Sequence, residues 1–555
     1  MPQGSASISE WLFGPGPREP GKLWPRWLWL RALGLIFFSA FYSLAFQIRG
    51  LIGPQGILPA HDFLQVVGHQ FGALRFWYAP SLLWISSGPG ALRLLWIAGL
   101  AASILLILNF WPRASIAVCL VAYLSFISTA QDFASYQSDS MLMAAGFLSL
   151  FVAPPGLRPR LAGEHPPSRA SLFMLQWLWF QIYFESGVVK IASHDPQWRH
   201  LTALDQYYQN GPLPNWIGWY AQQLPHGFQA AVALTTLCIE LGVVWLMFFP
   251  RRFRLVGFFI VTPFQIGIIL TANLAFLNHL VLSLGVLLLD DRFILGSVAW
   301  FQKRLRRAPT AARAVAVEGS ASQPGATAIT AESAPLAVAE STGAAREGKW
   351  RHAISHAATI VVPAILLTWV FYASFIGLLR TLGFRPPVAT EPITALEPFR
   401  IADHYGLFAV MTHARYEVEF QGSDDGKNWI AYPFRYKPQR VDERPRIYAP
   451  YQPRFDWDLW FASLGTWRDY PWVVRTEALL LHGDPSVLGL FAGNPFSKAP
   501  PKEVRAVVWK YWFTDSKTKR ATGDWWNREF RGLYGPVIAM GPNGKAVALE
   551  WPGQQ

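Results

Sequence analysis

Up to about residue 295 the chain alternates long apolar blocks with short polar breaks, whereas from about residue 384 charges, aromatics and turn residues are mixed. A bilayer core takes roughly 20 apolar residues as a helix. The blocks predict spans at Trp27–Phe46, Ala91–Phe110, Ser115–Ala130, Ser140–Ala153, Leu172–Ile191, Ala230–Phe249, Phe253–Thr271, Leu274–Leu289 and Ile354–Leu379, nine in all, the third, fourth and eighth being short. Phe76–Ile85 is apolar but too short to cross, and reads as an interfacial or re-entrant helix.

Beyond residue 384 the period becomes strand-like. Tyr416–Gln421 alternates, Gly422–Asn428 supplies turn chemistry with Gly426 free for a positive φ, and Trp429–Tyr436 is aromatic-rich again. That pattern predicts a β-hairpin. Val504–Thr514 predicts a further strand, while Trp457–Leu464 and Trp472–Leu481 read as helices. The predicted fold class is therefore a polytopic α-helical membrane domain followed by a β-rich or α+β C-terminal domain. Asp424, Asp425 and Gly426 read as a tight turn; a calcium loop needs more acidic ligands at alternating positions.

Composition agrees with this division. Of 555 residues 52% are hydrophobic and 15% charged, against about a quarter charged in soluble domains. The net charge of +13 is carried by short basic groups between apolar blocks, so it marks topology rather than nucleic-acid binding. With a cytoplasmic N-terminus and nine spans, the groups at Lys22/Arg26, Arg113, Arg158/Arg160/Arg169, Arg251/Arg252/Arg254 and Lys303–Arg307 all fall on one side. The expected organisation is then a cytoplasmic tail (1–25), a helical domain (26–295), a disordered cytoplasmic linker (296–350), a last membrane helix (351–380) and an outer, periplasmic or lumenal domain (384–555). Cys119 and Cys238 lie in apolar blocks without a CxxC spacing and are expected as small buried hydrophobes. Neither a thiol-exchange nor a metal site is expected.

Charges inside an apolar block are costly and face a protein interior or a wet cavity. Glu185 and Lys190 lie in the fifth predicted span, five residues apart and thus about 7.5 Å along the axis and on different faces. Each is expected to find its partner on another helix. Glu240, Asp139 and His279 are the other ionisable residues at span positions. The loop after the fifth span, through Trp198, Arg199, Gly211 and Pro212, is apolar and aromatic with a Gly-Pro break, and is expected to fold back over the membrane mouth.

Five separated stretches, in order, resemble the lipase maturation factor family: Gln131–Phe147, Tyr183–Pro214, Glu397–Phe408 (with Tyr405 and Gly406), Met411–Pro438 with its GSDDGKNW core ending at Trp429, and Tyr448–Phe461 with Arg454. Two positions depart from the family pattern, Ser138 replacing Trp and Ala144 replacing Glu. The resemblance implies a multi-pass membrane protein, of the endoplasmic reticulum in animals, that assists folding and assembly of secreted lipases. The lack of Asn-x-Ser/Thr sequons and the Ala, Arg and Trp content suit a relative in a bacterial inner membrane. A shorter segment, Tyr183–Ile191, resembles the YF-x-x-G-x-x-K helix of the vitamin K-dependent gamma-carboxylase. That second resemblance implies Lys190 as a catalytic base.

Two functions follow. One is a chaperone-like maturation factor whose outer domain and loop contact an exported client, possession of GxSxG, Walker or HExxH motifs being absent from the sequence. The other is a membrane enzyme with Lys190 as base, Glu185 or Asp139 tuning it, and a lipid or quinone as substrate. A transporter would call for an inverted repeat of broken helices, which the sequence does not display. The expected partners are membrane lipids and an exported protein, a lipase by resemblance.

Overall fold

The structure, a computed structural model, describes residues 8–14, 21–161, 165–306 and 344–553. Its first part is helical: α1 (Leu23–Ile52), α2 (Pro89–Ile107), α3 (Pro112–Ile127), α4 (Gln137–Val152), α5 (Arg169–Ala192), α6 (His226–Leu241), α7 (Arg251–Thr271), α8 (Leu277–Gly285), α9 (Asp291–Arg306) and α10 (Ala344–Thr381). Local chemistry sets several starts. Proline occupies the first turn of α2 and α3, where its missing N–H costs nothing. The Ser168 hydroxyl caps α5 by accepting from Ser171 N at 3.2 Å.

Among the described residues five helices are long and apolar enough to cross a membrane: α1, α2, α6 with its continuation to Phe248, α7, and residues 360–381 of α10. The third and eighth predicted spans are shorter apolar helices. The helices α4 and α5 are mostly buried by their neighbours, which is how they accommodate Asp139, Glu185 and Lys190.

The structure corrects several expectations. At Gly242 the sixth predicted span changes into a 3-10 turn over Val243–Phe248, and the eighth loosens similarly over Val286–Leu288. Phe76–Ile85 becomes two short turns, Arg75–Tyr78 and Leu82–Trp84, behind an amphipathic helix, Ala60–Phe71, that the search for long apolar blocks passes over. Both ends of the expected linker are helical, in α9 and the start of α10; residues 307–343 lie outside the described residues. In α9 Leu295, Val298 and Phe301 repeat at helical spacing, which overrides the polar composition. Cys119 is buried, but Cys238 is exposed on α6 rather than buried.

The C-terminal part is α+β. A six-stranded sheet is formed by β1 (Arg415–Ser423), β2 (Ile430–Ala431), β3 (Glu503–Phe513), β4 (Trp526–Leu533), β5 (Val537–Met540) and β6 (Ala546–Glu550), in the order β2-β1-β3-β5-β6 with β4 also on β3. The long antiparallel pair sets Val418 opposite Val508. The expected hairpin forms, but its second strand shrinks to Ile430–Ala431. Two helices, α11 (Arg454–Ala462) and α12 (Pro471–Leu481), pack on the sheet. Alternation ordinarily marks a strand with one wet face, yet both faces of β1 are buried. Its polar side chains are satisfied from residues 437–439: Lys437 Nζ donates to Glu417 at 2.7 Å and Gln439 Nε2 to Glu419 at 3.1 Å.

This part is no independent appendage. One buried apolar cluster runs from Trp29 in α1 to Ile538 in β5. It joins the ends of one set of helix termini: Gln47 Nε2 donates to Gln452 O at 2.9 Å, and Asn273 donates to Arg446 O at 2.8 Å and accepts from Tyr448 N at 2.8 Å. The opposite helix ends carry basic residues fixed on carbonyls and carboxylates. Lys22 donates to Leu287 O at 2.9 Å, Arg113 to Ala153 O at 2.8 Å, and Arg251 to Asp290 at 2.5 Å.

Candidate functional site

The last two turns of α5 organise the site. Lys190 Nζ donates to both carboxylate oxygens of Glu240 on α6, at 3.0 and 2.9 Å, and to the carbonyls of Leu407 at 3.0 Å and Ser186 at 3.3 Å. Both side chains of this ion pair are largely buried. Gly187 lets α6 approach closely enough for the pairing, because an added Cβ would meet Glu240 Cβ and Leu241 at 2.9 Å. The Trp198 ring lies 5.3 Å from Lys190 Nζ, within cation–π range.

Glu185, on a different face of α5, accepts from Tyr405 N at 2.5 Å and from Gln181 Nε2 at 3.1 Å. The segment from Tyr405 to Met411 is laid along this end of α5 by further bonds. Gly406 N donates to Gln137 at 3.0 Å, Trp198 Nε1 to Phe408 O at 2.9 Å, Ser193 Oγ to Ala409 O at 2.7 Å, and Met411 N to Asp195 at 2.6 Å. A carboxylate that accepts a backbone N–H inside protein fixes that segment in place.

The loop after α5 is held from the sheet side. Arg415 donates to the carbonyls of Gly211, Gln209 (3.1 Å) and Pro212 (3.0 Å), and Trp460 Nε1 donates to Asn210 O at 2.9 Å. The expected fold-back over the helix ends is therefore what the chain does here, with the C-terminal domain supplying the clamp.

A second lock lies across α3 and α4. Arg454, at the first turn of α11, makes a bidentate pair with Asp139 at 2.9 Å for each contact, donates to Phe133 O at 2.6 Å, and donates to Tyr123 OH at 2.9 Å. Tyr123 OH in turn donates to Asp139 at 2.6 Å. Arg454 and Asp139 are both fully buried.

These contacts correct the expectation that Glu185 or Asp139 tunes Lys190. Glu185 serves Tyr405, Asp139 serves Arg454, and Glu240 is the partner of Lys190. Four acceptors, the two Glu240 carboxylate oxygens and the Ser186 and Leu407 carbonyls, already surround Lys190 Nζ. Other predicted residues lie elsewhere. Arg199 is exposed and bonds His194. Asp424 is exposed; Asp425 accepts from Lys427 N (2.9 Å) and Asn428 N (2.7 Å), and Gly426 has φ +68, as a tight turn requires. Trp429 stacks under Arg505 at 4.0 Å. This hairpin tip lies at the far end of β1 from Arg415, about 27 Å away at ~3.4 Å per residue. Among the described residues no group of His, Cys, Asp and Glu could hold a metal ion.

Between α5, α6, α7 and α8 is a cavity of about 430 Å³, bordered by the Lys190–Glu240 pair and roofed by Leu407, Phe408 and Met411. Sequence reading named Glu240 without its partner. It missed Gln265, which accepts from Tyr183 OH at 2.7 Å, and Asn278. The available signal was the presence of amides inside apolar blocks.

The two halves joined by these contacts each match a family model. Residues 24–296 match the lipase maturation factor transmembrane domain, and residues 401–536 match the lipase maturation factor C-terminal domain. The chain belongs to the lipase maturation factor family. It is 32% identical to lipase maturation factor 2 of Gallus gallus, over 95% of this chain and 82% of that protein. It is 31% identical to the Homo sapiens lipase maturation factor 2, over 94% and 83%, and 29% identical to lipase maturation factor 1 of Bos taurus, over 97% and 93%. No solved structure matches the chain. In this lipase maturation factor relative the locks at Glu185, Lys190 and Arg454 all join the two matched regions.

Proposed function

We propose that this membrane protein is a maturation factor that holds its C-terminal domain rigidly on the membrane helices and offers that domain to an exported client of the lipase class. The observation that carries this reading is the joining of the two family regions through buried pairs, Arg454 with Asp139 and Glu185 with the backbone of Tyr405. Such pairs fix geometry more than they add stability. A folding client gains a stationary surface at a set height above the bilayer.

The client surface in this reading is the free edge of the sheet. Phe530 on β4, Val547 and Leu549 on β6, and Trp551 beyond it are exposed, at 50%, 42%, 56% and 59%. Exposed apolar residues gathered on strand edges are binding surfaces or aggregation hazards. Lysine and arginine at the opposite helix ends face the cytoplasm under the positive-inside rule. The C-terminal domain then faces the lumen or, in a bacterial inner membrane, the periplasm.

Co-expression of a secreted homodimeric lipase with the full chain tests the proposal. Active lipase rises with the native chain and does not rise with a Phe530→Asp/Leu549→Asp variant of unchanged melting temperature. Equal lipase activity with both chains would refute it.

A further inference from the structure

The cavity beside Lys190 is not used by client binding at the sheet edge, and its construction points to a ligand of its own. On α6 the residues Phe228, Val232, Thr236 and Glu240 line it at four-residue intervals; on α7 Phe264, Ile268 and Thr271 follow at intervals of four and three. Those spacings put one stripe of each helix on the cavity. Both helices are long and apolar enough to cross a membrane. The rim is open to the surroundings: Leu224 and Phe228 are 42% and 48% exposed, and Gly267 is exposed. An added Cβ at Gly267 meets nothing within 4 Å, so the gap between the helices is real space. In a bilayer that space faces acyl chains, not water.

Polar groups on the wall are nearly all satisfied. Tyr183 and Gln265 bond each other, Thr236 Oγ donates to Val232 O at 2.9 Å, and the Lys190–Glu240 pair neutralises itself. Among the described residues on the wall, the fully buried side-chain atom without a hydrogen-bond partner is Nδ2 of Asn278, a residue only 5% exposed. Burying a donor without a partner is unfavourable, and a ligand carbonyl would remove that penalty. A volume of about 430 Å³ falls within the roughly 300–1,000 Å³ of small-molecule sites.

We propose that this cavity is a lipid site, entered sideways between α6 and α7, that takes the acyl chain of an uncharged ester lipid and hydrogen-bonds its carbonyl through Asn278. The headgroup is uncharged because, among the described residues, no cation on the wall is free: Lys190 is held by Glu240 and two carbonyls. The occupant touches Leu407, Phe408 and Met411 as well as α6 and α7. It therefore bridges the membrane helices and the roof segment of the C-terminal domain.

The test uses the full chain in phosphatidylcholine nanodiscs with a diacylglycerol that carries a diazirine on one acyl chain. Labelling is expected on peptides containing Phe228, Val232 and Ile268. Unlabelled diacylglycerol should compete, and phosphatidylglycerol or free fatty acid should compete at least about tenfold less well. Gly267→Phe, which fills the gap without a clash, should cut labelling about tenfold, and Thr236→Trp should act likewise. Asn278→Leu should weaken competition about three- to tenfold while raising the melting temperature of the lipid-free protein, a combination that a merely structural asparagine would not give. Labelling spread over outward-facing residues such as Leu234 and Ile260 and unchanged in folded Gly267→Phe would overturn the site. Equal or better competition by phosphatidylglycerol or fatty acid would overturn the ligand class.

Discussion

Arg454 reaches out of the C-terminal domain into the helical domain and closes a bidentate pair with Asp139, 315 residues earlier in the chain, where neither side chain touches solvent. Asp139 lies in the first turn of α4, where the helix dipole also favours a negative charge. The guanidinium lies over the Phe126 ring at 5.0 Å, so a face of it is covered in addition to the bonds made by its two terminal nitrogens.

Removing one partner of a buried pair strands the other charge. Arg454→Met or Asp139→Asn is expected to destabilise the junction by about 3–5 kcal/mol. The check is thermal unfolding in detergent together with limited proteolysis. Cleavage should appear between residues 381 and 415 before the sheet itself is cut. A junction that resists protease as well as the native chain would show that the pair holds nothing.

The Lys190–Glu240 pair makes the opposite kind of prediction, because both members can be replaced together. Lys190→Ala leaves the Glu240 carboxylate buried alone and should cost about 3–5 kcal/mol, whereas Lys190→Met with Glu240→Leu should recover most of that loss. Melting temperatures of the three variants decide the matter. Double-variant stability no better than the single would mean that Lys190 does something other than satisfy Glu240.

Gly187 allows the pair to form. Gly187→Ala puts a methyl 2.9 Å from Glu240 Cβ and Leu241 side-chain atoms, and overpacking of that kind costs about 1–3 kcal/mol. Its stability should fall between those of the native chain and Lys190→Ala. A neutral substitution would indicate that α5 and α6 can part without consequence.

The C-terminal domain has a pH dependence of definite sign. Asp456 is buried, and although Tyr436 N and Lys437 N donate to it at 3.2 Å each, burial pushes its carboxyl up to about 6 from an ordinary value of 3.8. Burial pushes Glu477 upward as well. A carboxyl with a raised folded-state pKa binds more protons folded than unfolded between the two values, so stability declines as pH rises through that window. For Asp456 the window is 3.8 to about 6, with a plateau above. Glu477→Gln should raise the melting temperature at pH 7 and leave the value at pH 4 nearly unchanged. Equal shifts at both pH values would contradict the assignment.

What was legible in the sequence was whatever depends on neighbours along the chain. Apolar blocks located the helices and the Gly426 turn located the hairpin; the separation of Glu185 from Lys190 on α5 predicts a partner on another helix for each, which holds for Lys190 with Glu240 but not for Glu185, which bonds a loop N–H and Gln181 of its own helix. The partners themselves were not legible. Glu240 is 50 residues from Lys190 and Tyr405 is 220 from Glu185, and no local period encodes such distances. Arg454 lies just ahead of Trp457–Leu464, which reads as a helix of the C-terminal domain, so nothing nearby announces that it enters the membrane domain. The usable hint was the converse one, that Asp139 in an apolar block requires a cation from somewhere. The alternation in β1 was read correctly as a strand, but the covering of its polar face depends on residues 437–439, which follow a turn rather than a pattern.

The central claim is that the sheet edge serves a client on a platform fixed by the buried contacts between helices and C-terminal domain, and that Lys190 and Glu240 satisfy each other without acting on the client. The most direct measurement is the specific activity of a secreted lipase co-expressed with the native chain, with Phe530→Asp/Leu549→Asp, or with Lys190→Met/Glu240→Leu, each verified as folded. The account predicts that the edge variant loses the increase in active lipase and the double Lys190/Glu240 variant keeps it. Loss of activity with the Lys190/Glu240 variant and retention with the edge variant would contradict it.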